Sequence, residues 1–365
     1  MLYVTGYEVM MLAIDLSSPF RLAFGELYCL PRVIVRLNGE NQGVTFDGIG
    51  EAAIDFPFVG YDPWDVYWCL SQIEILGRSY PEADPKELFE INQKRQLEGV
   101  TLELPPLPLT KTELNNILQY PAALTALTMA CDDLWGKTHG ISLADLTLAK
   151  ESGQPMVSVG FSNSTDLKNT VCQLFQRGAI PKIKLGQGVD QDTECLKIIN
   201  SVQTIPFPAK HHLSADFNGA YKLGEFLGFV EKVWSEGINL SAFLTLEQPL
   251  VPEATFVDWS KVKDRLSDFG WSGNLVADES VITVTDAIEC VRNGCHINYK
   301  MQKLGGLREA LKILRATGRT VGMVGGTFPT AIGRAYDLWA VASLPQATLP
   351  SDSWEPSTDW FSGPR

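Results

Sequence analysis

The strongest constraint in this sequence is a series of short apolar runs between residues 181 and 300, each ending in a charged side chain. Pro181-Lys182-Ile183-Lys184-Leu185 carries two lysines. Leu213-Ser214-Ala215-Asp216, Phe243-Leu244-Thr245-Leu246-Glu247 and Leu275-Val276-Ala277-Asp278 each end in a carboxylate, and His296-Ile297-Asn298-Tyr299-Lys300 ends in a lysine. Asp216 and Glu247 are 31 positions apart, as are Glu247 and Asp278. That is about the length of one strand–helix–strand unit. Runs this short suit buried parallel strands, and the segments 193–202 and 221–236 between them read as helices. An α/β chain of such units closes into a barrel with its active site at the C-terminal ends of the strands. The charged positions all fall there.

One Asp or Glu after a strand is ordinarily a helix N-cap or a solvated loop residue, and one Lys a surface charge. A barrel mouth holding three carboxylates and three lysines is harder to explain that way. Asp216, Glu247 and Asp278, on neighbouring strands, can converge on one hard divalent cation. Mg²⁺, or Mn²⁺ in its place, takes oxygen ligands and keeps positions open for substrate. Lys182 and Lys184 would flank the metal on one side and Lys300 on the other.

The order Lys182-x-Lys184, Asp216-x-Asn218, Glu247-Gln248-Pro249, Asp278-Glu279-Ser280 and Lys300 ahead of Gly305-Gly306 resembles the enolase superfamily. Within it the match is to the muconate-lactonizing-enzyme subgroup: cycloisomerases, o-succinylbenzoate synthases, N-acylamino-acid racemases and dipeptide epimerases. The resemblance runs over nearly the whole chain. It implies a (β/α)7β TIM-like barrel with an N-terminal α+β capping domain, in a homo-oligomer. It also implies removal of the proton α to a carboxylate through an enediolate stabilised by Mg²⁺. Lys184 is then the general base, Lys300 acts on the opposite face, and the charge of Lys182 stabilises the developing oxyanion. Asn218 and Glu279 would orient the ligands from behind.

A lysine on each face fits a racemase or epimerase acting on an N-substituted amino acid or a dipeptide-like carboxylate. The same pair serves an o-succinylbenzoate synthase or a muconate-type cycloisomerase. A non-catalytic barrel that keeps metal and ligand is the alternative from another class. By the same resemblance, Ser17–Gly25 is a loop over the mouth, where Phe20 and Arg21 meet substrate and Arg21 pairs with its carboxylate. Asp55–Tyr61 is a second loop, contributing Phe56. Thr327 and Phe328, after the seventh strand, are the remaining expected substrate contacts. The chain departs from its relatives at Gly325-Gly326-Thr327-Phe328-Pro329-Thr330, where they often have a small residue, a Met and Glu-Ser. The tail Leu349–Arg365 offers only Asp352-Ser353-Trp354 and Asp359-Trp360 in place of the Asp-x-Asp of dipeptide epimerases. That weighs against a free α-ammonium on the substrate.

At 365 residues, one barrel and a smaller domain is the natural size. The expected division is a cap over 1–125, a barrel over 126–345 and a tail over 346–365 packing near the cap. A net charge of −13 argues against nucleic acid or an anionic membrane as the main partner; a small-molecule carboxylate is the partner the resemblance implies. Seven cysteines without metal spacing read as reduced thiols of a cytoplasmic protein. No apolar run is long enough to span a bilayer. Along the chain, residues 1–47 read as an antiparallel sheet containing the strand Pro31–Leu37, and 63–99 as helices. Leu104–Pro108 reads as a linker. Thr110 and Glu113 form a capping box, and Ala122–Lys137 is a helix with a small-residue face. Met156–Gly160 is the first barrel strand, Gly186-x-Gly188 a turn, and Thr320–Gly326 the seventh strand. No pattern places an eighth.

Overall fold

The apolar alternation of the first fifty residues folds into a three-stranded antiparallel sheet, ordered β1 (Tyr3–Leu22), β2 (Gly25–Asn41), β3 (Val44–Ala53). The structure is a computed structural model. It describes residues 1–22, 25–54, 61–97, 102–146, 155–160, 164–203, 212–318, 322–344 and 349–351. Gln42 and Gly43 turn β2 into β3 with φ of 53° and 79°, as a tight two-residue hairpin requires. The expected loop at Ser17–Gly25 is instead mostly strand. Beyond an irregularity between Asp15 and Phe20, pairing resumes at Phe20–Leu27, Arg21–Glu26 and Leu22–Gly25.

Four helices complete this part: α1 (Pro63–Ser71), α2 (Pro85–Leu97), α3 (Lys111–Ile117) and α4 (Pro121–His139). The Thr110–Glu113 capping box forms as expected: the Glu113 amide donates to the Thr110 hydroxyl, and the Thr110 amide to the Glu113 carboxylate. Helix α4 lies directly on β3. A Cβ on Gly50 would sit 1.9 Å from the Ala126 carbonyl oxygen, and one on Gly48 2.2 Å from that of Ala130. The glycines of Gly48-Ile49-Gly50 therefore answer a close backbone approach, met from the helix by Ala122, Ala123, Ala126 and Ala130.

Seven parallel strands follow, paired in sequence order: β4 (Met156–Val159), β5 (Ile180–Lys184), β6 (Leu213–Asp216), β7 (Phe243–Glu247), β8 (Asn274–Ala277), β9 (His296–Asn298) and β10 (Gly322–Met323). The connecting helices are α5 (Ser164–Gln176), α6 (Val189–Gln203), α7 (Leu223–Ser235), α8 (Phe256–Asp268), α9 (Val284–Arg292), the short α10 (Met301–Leu304) and α11 (Leu307–Ala316). Helix α12 (Ala331–Ser343) follows β10. The seventh strand of the barrel is shorter than Thr320–Gly326; the ladder ends at Met323, and 319–321 lie outside the described residues. The Gly186-Gln187-Gly188 turn is filled from within, because the Gly186 and Gln187 amides donate to Asp192 at 2.7 and 3.1 Å.

The ring is closed by Leu349–Ser351. The Leu349 amide donates to Gly322 O at 3.2 Å, and the Met156 amide to Ser351 O at 3.1 Å. These three residues bridge β10 and β4, the gap for which the sequence offered no strand. Met156, Ile180, Val276, Met323 and Leu349 form a separate buried cluster of their own. The sheet-and-helix cap docks on the barrel through polar groups. Gln302 on α10 bonds the backbone of Glu51 and Ala53, Arg308 on α11 forks onto buried Asp132 at 2.6 Å through both nitrogens, and Glu51 on β3 accepts the Thr330 and Gly333 amides. Among the described residues no helix is long and apolar enough to cross a membrane.

Candidate active site

Strand register builds the site. Lys184 pairs with Asp216, Asp216 with Glu247, and Glu247 with Val276, so four strand ends share one row. Asp278 lies two residues beyond Val276 and points the same way. One layer deeper, Lys182 pairs with Ser214 and Ser214 with Thr245. The ordinary explanation for the carboxylates fails here. The helices after β6, β7 and β8 are capped by Lys222, Thr255 and Thr283, so none of the three acids caps a helix. Nor are they solvated: Asp216 and Glu247 are 0 % exposed and Asp278 2 %.

The buried charges form one network. Lys184 Nζ lies 2.5 Å from Asp216 Oδ2 and 3.2 Å from Asn218 Oδ1. Lys182 Nζ is 3.0 Å from Glu247 and 3.9 Å from Asp216. Lys300 Nζ reaches Asp278 Oδ2 at 2.5 Å. Asn218 bridges, its amide donating to Asp216 at 2.9 Å and its side chain to Glu279 Oε1 at 3.3 Å. The eight residues expected as bases, ligands and orienting groups thus come together. Phe20 and Arg21 lie on β1, but their side chains, like the whole of Phe56, lie outside the described residues. Thr327 and Phe328 stand in the turn after β10; the Thr327 hydroxyl is buried without a hydrogen-bond partner among the described residues.

Three residues of the network were missed in the sequence. Lys303 donates to Asp278 Oδ1 at 2.9 Å, to Asp278 O at 2.5 Å and to Asn298 O at 3.1 Å. Its helical spacing of three from Lys300 was the available signal. Asn298, two residues before Lys300 on one strand face, donates to Glu247 Oε1 at 2.6 Å. Gln248 is fully buried and holds the Asp278–Ser280 turn. Its oxygen accepts the Asp278 and Ser280 amides at 2.8 and 3.2 Å, and its nitrogen donates to Leu250 O and Ser280 Oγ. No periodicity points to that role. Asn218 and Gln248, both non-glycine, have φ of 45° and 38°, a strained conformation that gathers at functional sites.

The electrostatics are unbalanced in a telling way. Burial pushes Glu247 up to about 7, and Asp216 and Asp278 push in the same direction. Burial and Asp278 lift Glu279 to about 8. Against burial, Lys184, Lys182 and Lys300 hold Asp216 below the usual carboxylate range, and Lys300 and Lys303 do the same for Asp278. Two acceptors of the site, Glu279 Oε2 and Asn298 Oδ1, are buried with no donor among the described residues. Among the described residues no three acidic, His or Cys side chains stand close enough to chelate as they are; lysine heads lie on the carboxylate oxygens instead. An all-oxygen set of buried carboxylates is what a hard divalent cation fits, with Asp216, Glu247 and Asp278 as the residues able to hold it.

Residues 169–363 match the family model described as Enolase C-terminal domain-like. An L-Lys-D/L-Arg epimerase of Desulforapulum autotrophicum is 30 % identical over 314 residues, 83 % of this chain and 76 % of that protein. The o-succinylbenzoate synthase of Bacillus subtilis is 32 % identical over 244 residues, 65 % of this chain; the match spans only 60 % of that relative's length. In fold, the chain superposes on a dipeptide epimerase from Enterococcus faecalis, complexed with Mg and the dipeptide L-Leu-L-Tyr. The TM-score is 0.73 at 21 % identity, covering 99 % of this chain and 92 % of that one. The chain belongs to the enolase superfamily, in its mandelate racemase/muconate lactonizing enzyme subgroup. It is an enzyme of the isomerase and lyase chemistries found there.

Proposed function

We propose that this protein removes the proton α to a carboxylate and returns it on the other face. It would thus racemise or epimerise an N-substituted amino acid or dipeptide-like substrate. The observation that carries this is the placement of Lys184 and Lys300 on opposite sides of the Asp216–Glu247–Asp278 group, each 2.5 Å from one of its carboxylates. Asp216, Glu247 and Asp278 would hold Mg²⁺, which supplies Lewis-acid stabilisation for the negative charge that builds on the substrate carboxylate. Lys184 takes the α-proton as general base and Lys300 delivers one to the opposite face. Lys182, buried and fixed against Glu247, adds positive charge where the enediolate oxygens form. Asn218, Gln248 and Lys303 hold the carboxylates in place. We place the enzyme in the cytoplasm, as a homo-oligomer, on its cysteine content and its family.

The test is α-deuterium incorporation in D₂O with Mg²⁺, across N-acyl amino acids, dipeptides and succinylbenzoate-type acids, with and without EDTA. Metal-dependent exchange should appear and fall by a factor of about 10²–10⁴ in Lys184→Ala, the usual worth of a general base. Exchange that survives Lys184→Ala with Lys300→Ala would sink the proposal. The o-succinylbenzoate synthase relative supports a second reading, β-elimination with one lysine as a bystander cation; net loss of water without stereoinversion would select it.

A further inference from the structure

Arg32 on β2 and Glu51 on β3 stand on one face of the cap sheet, since Ile34 pairs with Glu51 and Arg32 with Ala53. Both are 0 % exposed, with Arg32 Nε 3.1 Å from Glu51 Oε1. The remaining nitrogens of Arg32 donate to Pro31 O and Phe328 O. The Glu51 carboxylate accepts from the Thr330 amide at 2.9 and 3.1 Å, the Thr330 hydroxyl at 2.6 Å and the Gly333 amide at 2.8 Å. A side chain of the cap thus caps a barrel helix, its negative charge at the positive end of α12.

A fully buried ion pair contributes little to stability, because desolvating two charges costs about what their attraction returns. Its attested use is to fix register. Here it fixes the turn that runs from β10 to α12. At the near end of that turn Gly325 presses on Asn298, where a Cβ would lie 2.3 Å from Oδ1, and Asn298 holds Glu247. In the middle stands Thr327, its buried hydroxyl without a hydrogen-bond partner among the described residues. On the cap side, Gln302 ties the backbone of Glu51 and Ala53 to α10.

We propose that Arg32 and Glu51 are positioning residues that lock the cap to the turn after β10 and so hold the Thr327 hydroxyl for a polar group of the substrate. This rests on the reading that the barrel mouth binds a carboxylate substrate. It makes the cap sheet, and not only the loops over the mouth, part of substrate selection. The prediction is a raised KM with kcat nearly kept, because the bonds of the pair run to the turn and not to the lysines or carboxylates of the site.

The experiment uses four variants of the full chain: Glu51→Gln, Arg32→Met, the apolar pair Arg32→Met with Glu51→Leu, and Thr327→Val. Three quantities are read: the thermal midpoint, amide hydrogen exchange over residues 325–333, and KM and kcat for α-deuterium exchange. Glu51→Gln should speed amide exchange at Thr330 and Gly333 by about tenfold, the loss of one such hydrogen bond. It should raise KM about tenfold with kcat changed by less than about threefold. The apolar pair should recover the midpoint but keep the raised KM. Thr327→Val should raise KM and leave amide exchange alone. A parental KM in the apolar pair would overturn the inference, as would unchanged amide exchange in Glu51→Gln. A parent protein that exchanges no α-proton would sink the catalytic reading and the substrate half of this inference with it, while the amide arm still decides whether the pair holds the turn.

Discussion

Replacing Lys303 by Met removes one charge and keeps most of the stem. The side chain is 13 % exposed, and its ammonium spends its donors on Asp278 Oδ1, Asp278 O and Asn298 O. The two carbonyls are not orphaned by the change, because Asp278 O also accepts the Val281 amide and Asn298 O the Lys300 amide. What is lost outright is the charged bond to the Asp278 carboxylate, worth about 1.5–3 kcal/mol. Relief from desolvating the ammonium offsets part of it, so Lys303→Met should cost about 2 kcal/mol at neutral pH. The pH dependence has a definite sign. Burial would raise Asp278, yet Lys300 and Lys303 hold it below its usual value. Stability from such a depressed carboxylate is complete above the unfolded value of about 3.9 and is lost as pH falls towards the folded value. Urea denaturation in EDTA should therefore show the same deficit at about pH 7 and about pH 5.5, shrinking below about pH 4. Calorimetric titration with Mg²⁺ should show affinity lowered about 10–100-fold, as for other groups that orient a ligand. A deficit under about 0.5 kcal/mol at neutral pH, or one that grows as the solution is acidified, would refute this account of Lys303.

Three further outcomes follow from the structure. In metal-free protein Glu247, at about 7, keeps a proton that the unfolded chain releases above about pH 4.3, so stability falls as pH climbs through that window. Glu247→Gln should flatten this slope in thermal melts with EDTA, and a slope equal to the parent's would count against the assignment. Gly50→Ala must push its Cβ into the Ala126 carbonyl and should cost about 3 kcal/mol. Gly228→Ala, in α7 with open space around it, should stabilise by about 0.5–1 kcal/mol in the same denaturation assay.

The parts of the site that the sequence revealed are those set by strand period and repeat length. Asp216, Glu247 and Asp278 recur at a fixed spacing, and parallel register brings Asp216 and Glu247 level, with Asp278 two residues beyond the row on the same face. What it hid depends on contacts between distant segments. Gln248 is adjacent to Glu247 in sequence, but its job is to bond the turn at Asp278–Ser280, and nothing local encodes that partner. Arg32 and Glu51 read as ordinary strand charges until the α12 terminus is placed against them. The extended β1–β2 hairpin escaped notice because its far end lacks the clean alternation of Pro31–Leu37. The closing segment Leu349–Ser351 is too short for any periodicity, being defined by bonds to β10 and β4 alone.

That closing segment makes the barrel seam unlike its other junctions. Neighbouring strands elsewhere are one βα unit apart, so each pairing can form soon after its residues emerge during synthesis. The junction through Met156 and Ser351 joins residues roughly two hundred positions apart, and contacts so distant in sequence form slowly. Until Ser351 clears the ribosome, β4 and β10 must wait as open edges, the condition under which sheets find wrong partners. A chain truncated before residue 349 should therefore depend on chaperones more than one that carries Leu349–Ser351.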